Sequence, residues 1–401
     1  MASISPDEAE ALVQKLEQLS ENPPAAILEN DSLRRRFREA AYGASVAVQW
    51  PSDSVHLIAY GALYSSMARI GVDTKLFEIL AASPTPLSSE EVAEKTGVEL
   101  VLAKRLLRFY QSFRWLKEAG ENQFTANNVT KALTPPFSTG IEFFNTVLNP
   151  PFAALPEYLK SHGYKNPTSA VDSPWQAGYS TSDHPFVWLQ SHLEHFRLFM
   201  TWMPLERHGL PEFVDVFPFE QEVGQNTTDD TVLFVDIGSA LGSQSILVRD
   251  RFPNLKGRVI MQDQQHVIDA WSANAKPGIE SQVYNFFTPQ PVRGARAYYM
   301  RNIIHDHQDG QAQEILRNTI SAFDKDSLLL IDDIVLPESG VVPWRATMAD
   351  LNMMSALAAK ERSEKEWYAL LESAGLKIIK IWKYAAETGD SIIVAKPTHF
   401  A

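Results

Sequence analysis

The stretch Val235-Asp236-Ile237-Gly238-Ser239-Ala240-Leu241-Gly242-Ser243 decides how this chain is read. It begins in a continuous apolar run, 231–237 (TVLFVDI), and breaks into a turn of small residues. Such a turn lets backbone approach a ligand closely, and the helix that follows presents free N–H groups. A second apolar run, 257–262, leads to Asp263, 25 residues after Gly238, where a carboxylate can accept both hydroxyls of a ribose. The turn is G-x-A-x-G, not the G-x-G-x-x-G of dinucleotide sites. With no pyrophosphate to cradle, the pattern favours a nucleoside cofactor without phosphates, and S-adenosylmethionine is such a cofactor.

Working outward, further strands are predicted at 281–285, 296–303, 327–335, 376–384 and 391–396, with helical spacing between most of them, as at 310–323. Continuous apolar strands alternating with helices predict a parallel sheet covered on both faces, with ligands at the carboxyl ends of its strands. The fourth strand runs into Arg301-Asn302-Ile303-Ile304-His305-Asp306-His307, the next delivers Asp332-Asp333, and Lys360-Glu361-Arg362 follows. A histidine past a strand end with carboxylates to orient it is a general-base arrangement.

Before residue 225 strands are scarce and apolar residues recur at helical spacing. Residues 6–20 predict an amphipathic helix with Ala9, Leu12, Val13, Leu16 and Leu19 on one stripe. From His56 to Leu80 a helical pattern is interrupted by Gly71. Ser88 and Glu91 form a capping-box signature for a short helix ending at Gly97. A second helix carries Leu100, Ala103, Leu106, Leu107 and Tyr110 on one face, and a hairpin turns at Gly120-Glu121-Asn122. Two short helices and a hairpin make a winged-helix pattern. Lys104, Arg105 and Arg108 lie where such a module could meet DNA, but the chain has 49 Asp+Glu against 36 Lys+Arg, a formal charge of −13. That balance disfavours phosphate backbones and favours packing or dimerisation for this module. Residues 135–222 are rich in aromatics that can form core or wall a pocket for a flat apolar ligand. His192 and His195 have an i, i+3 spacing that a pocket-lining or surface helix explains, and no metal is expected.

Of the 401 residues 45% are hydrophobic and none is cysteine. Disulfides, thiolate metal sites and a cysteine nucleophile are excluded, and no apolar stretch reaches membrane-spanning length. These features predict a soluble, cytoplasmic protein.

Six segments then come in a specific order: VDIGSALGSQS, QDQQHVI, VYNFFTPQP, RNIIHDH, IDDIVLPE and KERSEKEWYALLESAGL. Together they resemble the plant and fungal small-molecule O-methyltransferases of the caffeate O-methyltransferase type, over about residues 56–396. The resemblance implies an α/β fold: a Rossmann-like class I methyltransferase sheet, mostly parallel and seven-stranded, with an N-terminal α-helical winged-helix dimerisation domain. The expected division is 1–130 for dimerisation, 131–225 as a helical region contributing to the substrate pocket, and 226–401 for S-adenosylmethionine binding and catalysis. The partners implied are a small-molecule substrate and a second copy of the chain, with no nucleic acid and no membrane.

By the same resemblance, Gly238 would line the methionine part of the cofactor. Asp263 would bind the ribose with Gln264 beside it, Asn285 and Phe286 would flank the adenine, and Arg301 would stand where the family often has Lys. His305 would be the general base for a phenol or enol hydroxyl of an aromatic or polyketide-type metabolite, with Asp333 and Glu361 holding its ring. Phe199 and Met203 would fall in the substrate wall. The chain departs from the family's D-x-G-G-G-x-G turn at Ser239 and Ala240, and the usual Trp after His-Asp is His307, which should remove an aromatic packing surface. Some relatives instead catalyse pericyclic or dehydration steps, with the cofactor unused or only structural. The altered turn and His307 fit that alternative; the intact His305, Asp333 and Glu361 fit methyl transfer.

Overall fold

The computed structural model describes residues 4–272 and 275–400. Contacts divide the chain into two compact units, parted after Ser65. In the first, Ser5 and Glu8 cap each other reciprocally to start the helix Pro6–Glu21, and Asn30 caps the helix Asp31–Val48. Neither helix has a buried residue. Leu12, Val13 and Leu16 of the expected stripe are exposed.

The second unit opens with the expected winged-helix pattern. Strand β1 (Leu87–Ser88) precedes the helix Ser89–Thr96, which has the Ser88–Glu91 capping box at its start and left-handed Gly97 at its end. The helix Leu100–Ser112 buries Ala103, Leu106, Leu107 and Tyr110. Strands β2 (Lys117–Gly120) and β3 (Gln123–Thr125) form the hairpin, and β1 pairs with β3. Lys104 of the would-be DNA helix pairs with Glu90 at 2.8 Å, within the module. The aromatic-rich region folds as helices, including Ser138–Phe143, Asn149–Ser161, Pro174–Tyr179, Pro185–Ser191 and Leu193–Trp202.

The main sheet contains β4 (Val232–Ile237), β5 (Arg258–Asp263), β6 (Ile279–Val283), β7 (Ala297–Arg301), β8 (Leu328–Leu336), β10 (Leu376–Ala385) and β11 (Asp390–Pro397). Their order is β10-β11-β8-β7-β4-β5-β6, and the two-residue β9 (Arg362–Ser363) pairs with the end of β8. Only β11 runs antiparallel to its neighbours. Each predicted strand forms, with ends within two residues of those expected. The sheet is buried on both faces because alternate side chains enter different clusters. Leu329, Ile331 and Val335 of β8 join Tyr298, Met300 and Trp367 on one face. Leu328 and Leu330 join Phe234, Tyr299 and Tyr384 on the other.

The sequence reading of Gly71 as a helix interruption is corrected. Gly71 lies within the helix Gly61–Asp73, and the chain breaks at Lys75, whose φ is 56°. The absent side chain serves packing: a Cβ on Gly71 would meet ring atoms of the fully buried Phe77 at 2.3 and 2.4 Å. Alanine gains about 1 kcal/mol over glycine in an unobstructed helix, whereas overpacking a core costs about 1–3 kcal/mol. Gly71→Ala is therefore expected to lower stability by up to about 2 kcal/mol, seen as a lower urea midpoint at unchanged m-value. A midpoint at or above wild type would show that the Phe77 ring yields.

Candidate active site

The carboxyl ends of β4, β5, β7 and β8 collect the chain's buried charge. After β7, one 3-10 turn, Ile304–Asp306, carries His305. Its Nδ1 lies 2.8 Å from Glu361 Oε1, and its Nε2 lies 3.4 Å from Asp306 Oδ1. Burial works against the charged ring, but Glu361 and Asp306 outweigh it and push its pKa up to about 10. Burial also raises the Asp306 carboxyl to about 6, against the pull of His305.

Glu361 is fixed in turn: its backbone N–H donates to Asp350 Oδ1 at 2.9 Å. The next residue, Arg362, is wholly buried and holds the same turn by its backbone. Its guanidinium donates to the carbonyls of Ile304 at 3.0 Å and His307 at 2.8 Å, and to Asp309 Oδ1 at 2.8 Å. Two consecutive residues thus fix the His305 ring and the backbone on either side of it. Sequence reasoning left Arg362 and Asp306 without a role. The signal for Arg362 was its place beside Glu361, and for Asp306 its place beside His305.

Asp333 does not hold the ring by a hydrogen bond. Both its oxygens are buried without a partner, and it acts on His305 through charge alone. Burial, opposed by His305, raises its pKa to about 7. Its neighbour Asp332 faces the opposite side of β8, as the period of a strand requires. There Asp332 accepts hydrogen bonds from the Tyr299 and Tyr384 hydroxyls and from Arg207 Nη1 at 3.2 Å. Arg207 also pairs with Asp390 and donates to Asn302 Oδ1 at 2.7 Å. Arg301 lies on this side too, with Glu212 at 3.4 Å and Asp332 at 3.9 Å.

At the end of β4, Gly238 has φ 68° and the following Ser239 keeps a negative φ, while Ala240 takes φ 47°. A Cβ on Gly238 would meet Ile303 Cδ1 at 2.3 Å, so the turn admits only glycine beneath that side chain. Asp263, at the end of β5, accepts the N–H of Ala240 at 2.8 Å and of Gln264 at 2.7 Å. The carboxylate of Asp236 accepts the Ser245 N–H and hydroxyl, and burial raises its pKa to about 7. Asn285 is exposed and accepts the Phe287 N–H at 3.1 Å.

Phe286 and Phe287 meet His307 edge-on, with centroids 5.6 and 5.5 Å apart. His307 therefore keeps an aromatic packing surface, contrary to the sequence expectation. Burial first, and then the His305 charge, lower its pKa to about 4, so the ring is neutral. Phe199 and Met203 pack partly buried in a cluster with Met353, Ala356 and Leu357. His192 stacks on Trp188 with centroids 3.6 Å apart, and His195 meets Trp188 edge-on.

Comparison with known proteins agrees with this geometry. An O-methyltransferase domain model matches residues 226–377, and an O-methyltransferase dimerisation domain model matches residues 57–136. The chain is 37% identical to O-methyltransferase okaF of Penicillium ochrochloron, over 88% of this chain and 92% of that protein. It is 36% identical to demethylsterigmatocystin 6-O-methyltransferase of Aspergillus flavus, over 86% of this chain and 89% of that one. Among solved structures, LepI in complex with SAM superposes with TM-score 0.88 and 33% identity, covering 98% of this chain and all of LepI. A structure described as a pericyclic reaction enzyme matches with the same TM-score, identity and coverage. The chain belongs to the S-adenosylmethionine-dependent small-molecule O-methyltransferase family.

Proposed function

We propose that the protein transfers a methyl group from S-adenosylmethionine to a phenol or enol hydroxyl of an aromatic or polyketide-type secondary metabolite, with His305 as general base. The observation that carries this reading is the His305 ring, tied to Glu361 at one nitrogen and set just past the strand end that neighbours the Gly238 turn. The residues present fit the cofactor. The turn is closed over by Ile303 at Gly238, the Asp263 carboxylate stands at the end of the neighbouring strand, and Phe286 offers an apolar face for a base. Gly238, Asp263, Gln264, Asn285 and Phe286 would hold it. With them Arg301, at the end of β7 and engaged with Glu212 and Asp332, is assigned to the cofactor site. Bound there, S-adenosylmethionine supplies an electrophilic methyl on a cationic sulfur.

The residues of the chain supply the rest. A phenol of pKa about 10 gives its proton to a free imidazole of pKa about 6.5 at a cost of roughly 5 kcal/mol. The carboxylates around His305 remove most of that mismatch by raising the affinity of the ring for a proton. They also load the ring beforehand, and a positive charge brought beside it favours the neutral form. Phe199 and Met203 would wall the substrate, and orientation toward the methyl carbon supplies much of the remaining rate.

The division into residues 1–130, 131–225 and 226–401, assembly as a homodimer and a cytoplasmic location complete the proposal. Among the described residues no helix is long and apolar enough to cross a membrane. A second reading, a pericyclic or dehydration step with the cofactor unused or only structural, is favoured by the likeness to LepI at 33% identity.

His305→Ala should lower methyl transfer by about 100-fold or more while leaving the affinity for S-adenosylhomocysteine, measured by calorimetry, within a few-fold. Transfer at the wild-type rate would remove His305 from the chemistry. Glu361→Gln removes a charge that holds the proton on the ring. The acid limb of its kcat–pH profile should therefore move to lower pH by about one unit or more, with a reduced plateau. An unmoved limb would mean that the limb reports another group.

A further inference from the structure

The order of the sheet, β7-β4-β5-β6, lays out a nucleoside along its carboxyl edge. His305 follows β7, the Gly238 turn closes β4 and Asp263 ends β5. A cofactor with its sulfur toward His305 and its ribose at Asp263 therefore runs its base on toward β6. Adjacent strands lie about 4.8 Å apart, so the base meets the residues just past that strand. Val283 ends β6 opposite Asp263, and Tyr284 donates its N–H to the Asp263 carbonyl at 2.9 Å. Asn285 is the next residue, followed by Phe286.

The loop that carries Asn285 is tied down. The Asn285 carbonyl accepts the Thr288 N–H at 2.9 Å and the Thr288 hydroxyl at 2.6 Å. The Tyr284 hydroxyl donates to the Thr288 carbonyl at 2.8 Å, and Asn318 Nδ2 donates to the Phe286 carbonyl at 3.3 Å. The Asn285 side chain joins this set by accepting the Phe287 N–H at 3.1 Å. Only the amide oxygen can accept an N–H, so the turn fixes which end of the amide is used. What remains is Nδ2, a donor, on an exposed residue and with no partner among the described residues. An aspartate here would make the same turn and still offer its second oxygen as an acceptor. The amide offers the opposite polarity.

We propose that Asn285 reads the base of the cofactor as a donor, from Nδ2 to an unprotonated ring nitrogen, and leaves the exocyclic amine unread. The proposal rests on the reading of this edge as the S-adenosylmethionine site and adds a specificity to it. Adenine offers the acceptor at N1. Hypoxanthine carries a proton at N1 but has a carbonyl oxygen where adenine has its amine. A donor at position 285 thus finds one acceptor on either base. A carboxylate there would accept from the adenine amine and repel the hypoxanthine oxygen, which is how a polar site rejects an analogue.

The test is calorimetry on the full chain with S-adenosylhomocysteine and S-inosylhomocysteine, read as the ratio of the two Kd values. Wild type is expected to bind S-inosylhomocysteine at worst about fivefold more weakly than S-adenosylhomocysteine. Asn285→Asp keeps the oxygen that the Phe287 N–H needs, so its thermal midpoint should stay near wild type. Its ratio should move by about fivefold or more toward S-adenosylhomocysteine. A wild-type preference for S-adenosylhomocysteine beyond about fivefold, a smaller shift in Asn285→Asp, or a variant that binds neither nucleoside overturns the proposal. If S-adenosylhomocysteine binds wild type and the ratios fail, only the Asn285 assignment falls. If neither nucleoside binds wild type, the cofactor reading falls and takes the proposal with it.

Discussion

The Glu361–Arg362 pair holds the active-site turn, and the rest of the arrangement depends on it. Glu361 takes the Nδ1 of His305, while Arg362 takes the carbonyls of Ile304 and His307. Ring and backbone are therefore fixed from the first residue of the short strand β9 and the residue before it, and β9 is itself anchored on the end of β8. Fixing Nδ1 sets the ring orientation and leaves Nε2, beside Asp306, as the nitrogen that would take a substrate proton. Breaking a buried, hydrogen-bonded charge of this kind costs several kcal/mol, so the geometry is retained before any ligand binds.

A parallel sheet accounts for why the charges meet here. Four strands end at the same edge, at Ile237, Asp263, Val283 and Arg301, and the Asp332-Asp333 pair within the longer β8 lies level with them, Asp332 opposite Arg301. The alternation of a strand sends Asp332 to one face and Asp333 to the other. On one face Asp332 gathers Arg207, Arg301 and two tyrosine hydroxyls into a buried network that ties the helical region to the sheet. On the other face Asp333 joins Glu361 and Asp306 around His305, leaving an excess of negative charge beside the ring. Such a site suits a cation, which is the charge a sulfonium would bring.

The strands were legible because a buried parallel strand is an uninterrupted apolar run, and the helix starts were legible where Ser88–Glu91 wrote a capping box. His305 and Glu361 could be named from order and resemblance. So could the pairing of the two, whereas the contacts of Asp306, Asp350 and Arg362 could not, because they depend on where side chains point. Asp333 and Asp332 alternate faces as any strand requires, yet only the fold shows which of them meets His305 and which meets Arg207. Gly71 read as a break for a related reason: sequence shows a missing side chain but not the Phe77 ring that needs its space. His307 was misjudged because an imidazole, made neutral by burial, packs against Phe286 and Phe287 much as an apolar ring would.

The central claim is that a carboxylate-held imidazole at position 305 faces the cationic sulfur of the cofactor. Magnetic resonance of isotope-labelled imidazoles, with His305 assigned by its loss in a substituted variant, reads the pKa of that ring directly. The account predicts a value about one unit or more lower with S-adenosylmethionine than with the neutral S-adenosylhomocysteine. The same pKa with both would contradict it, because a ring that does not sense the charge on the sulfur does not face it.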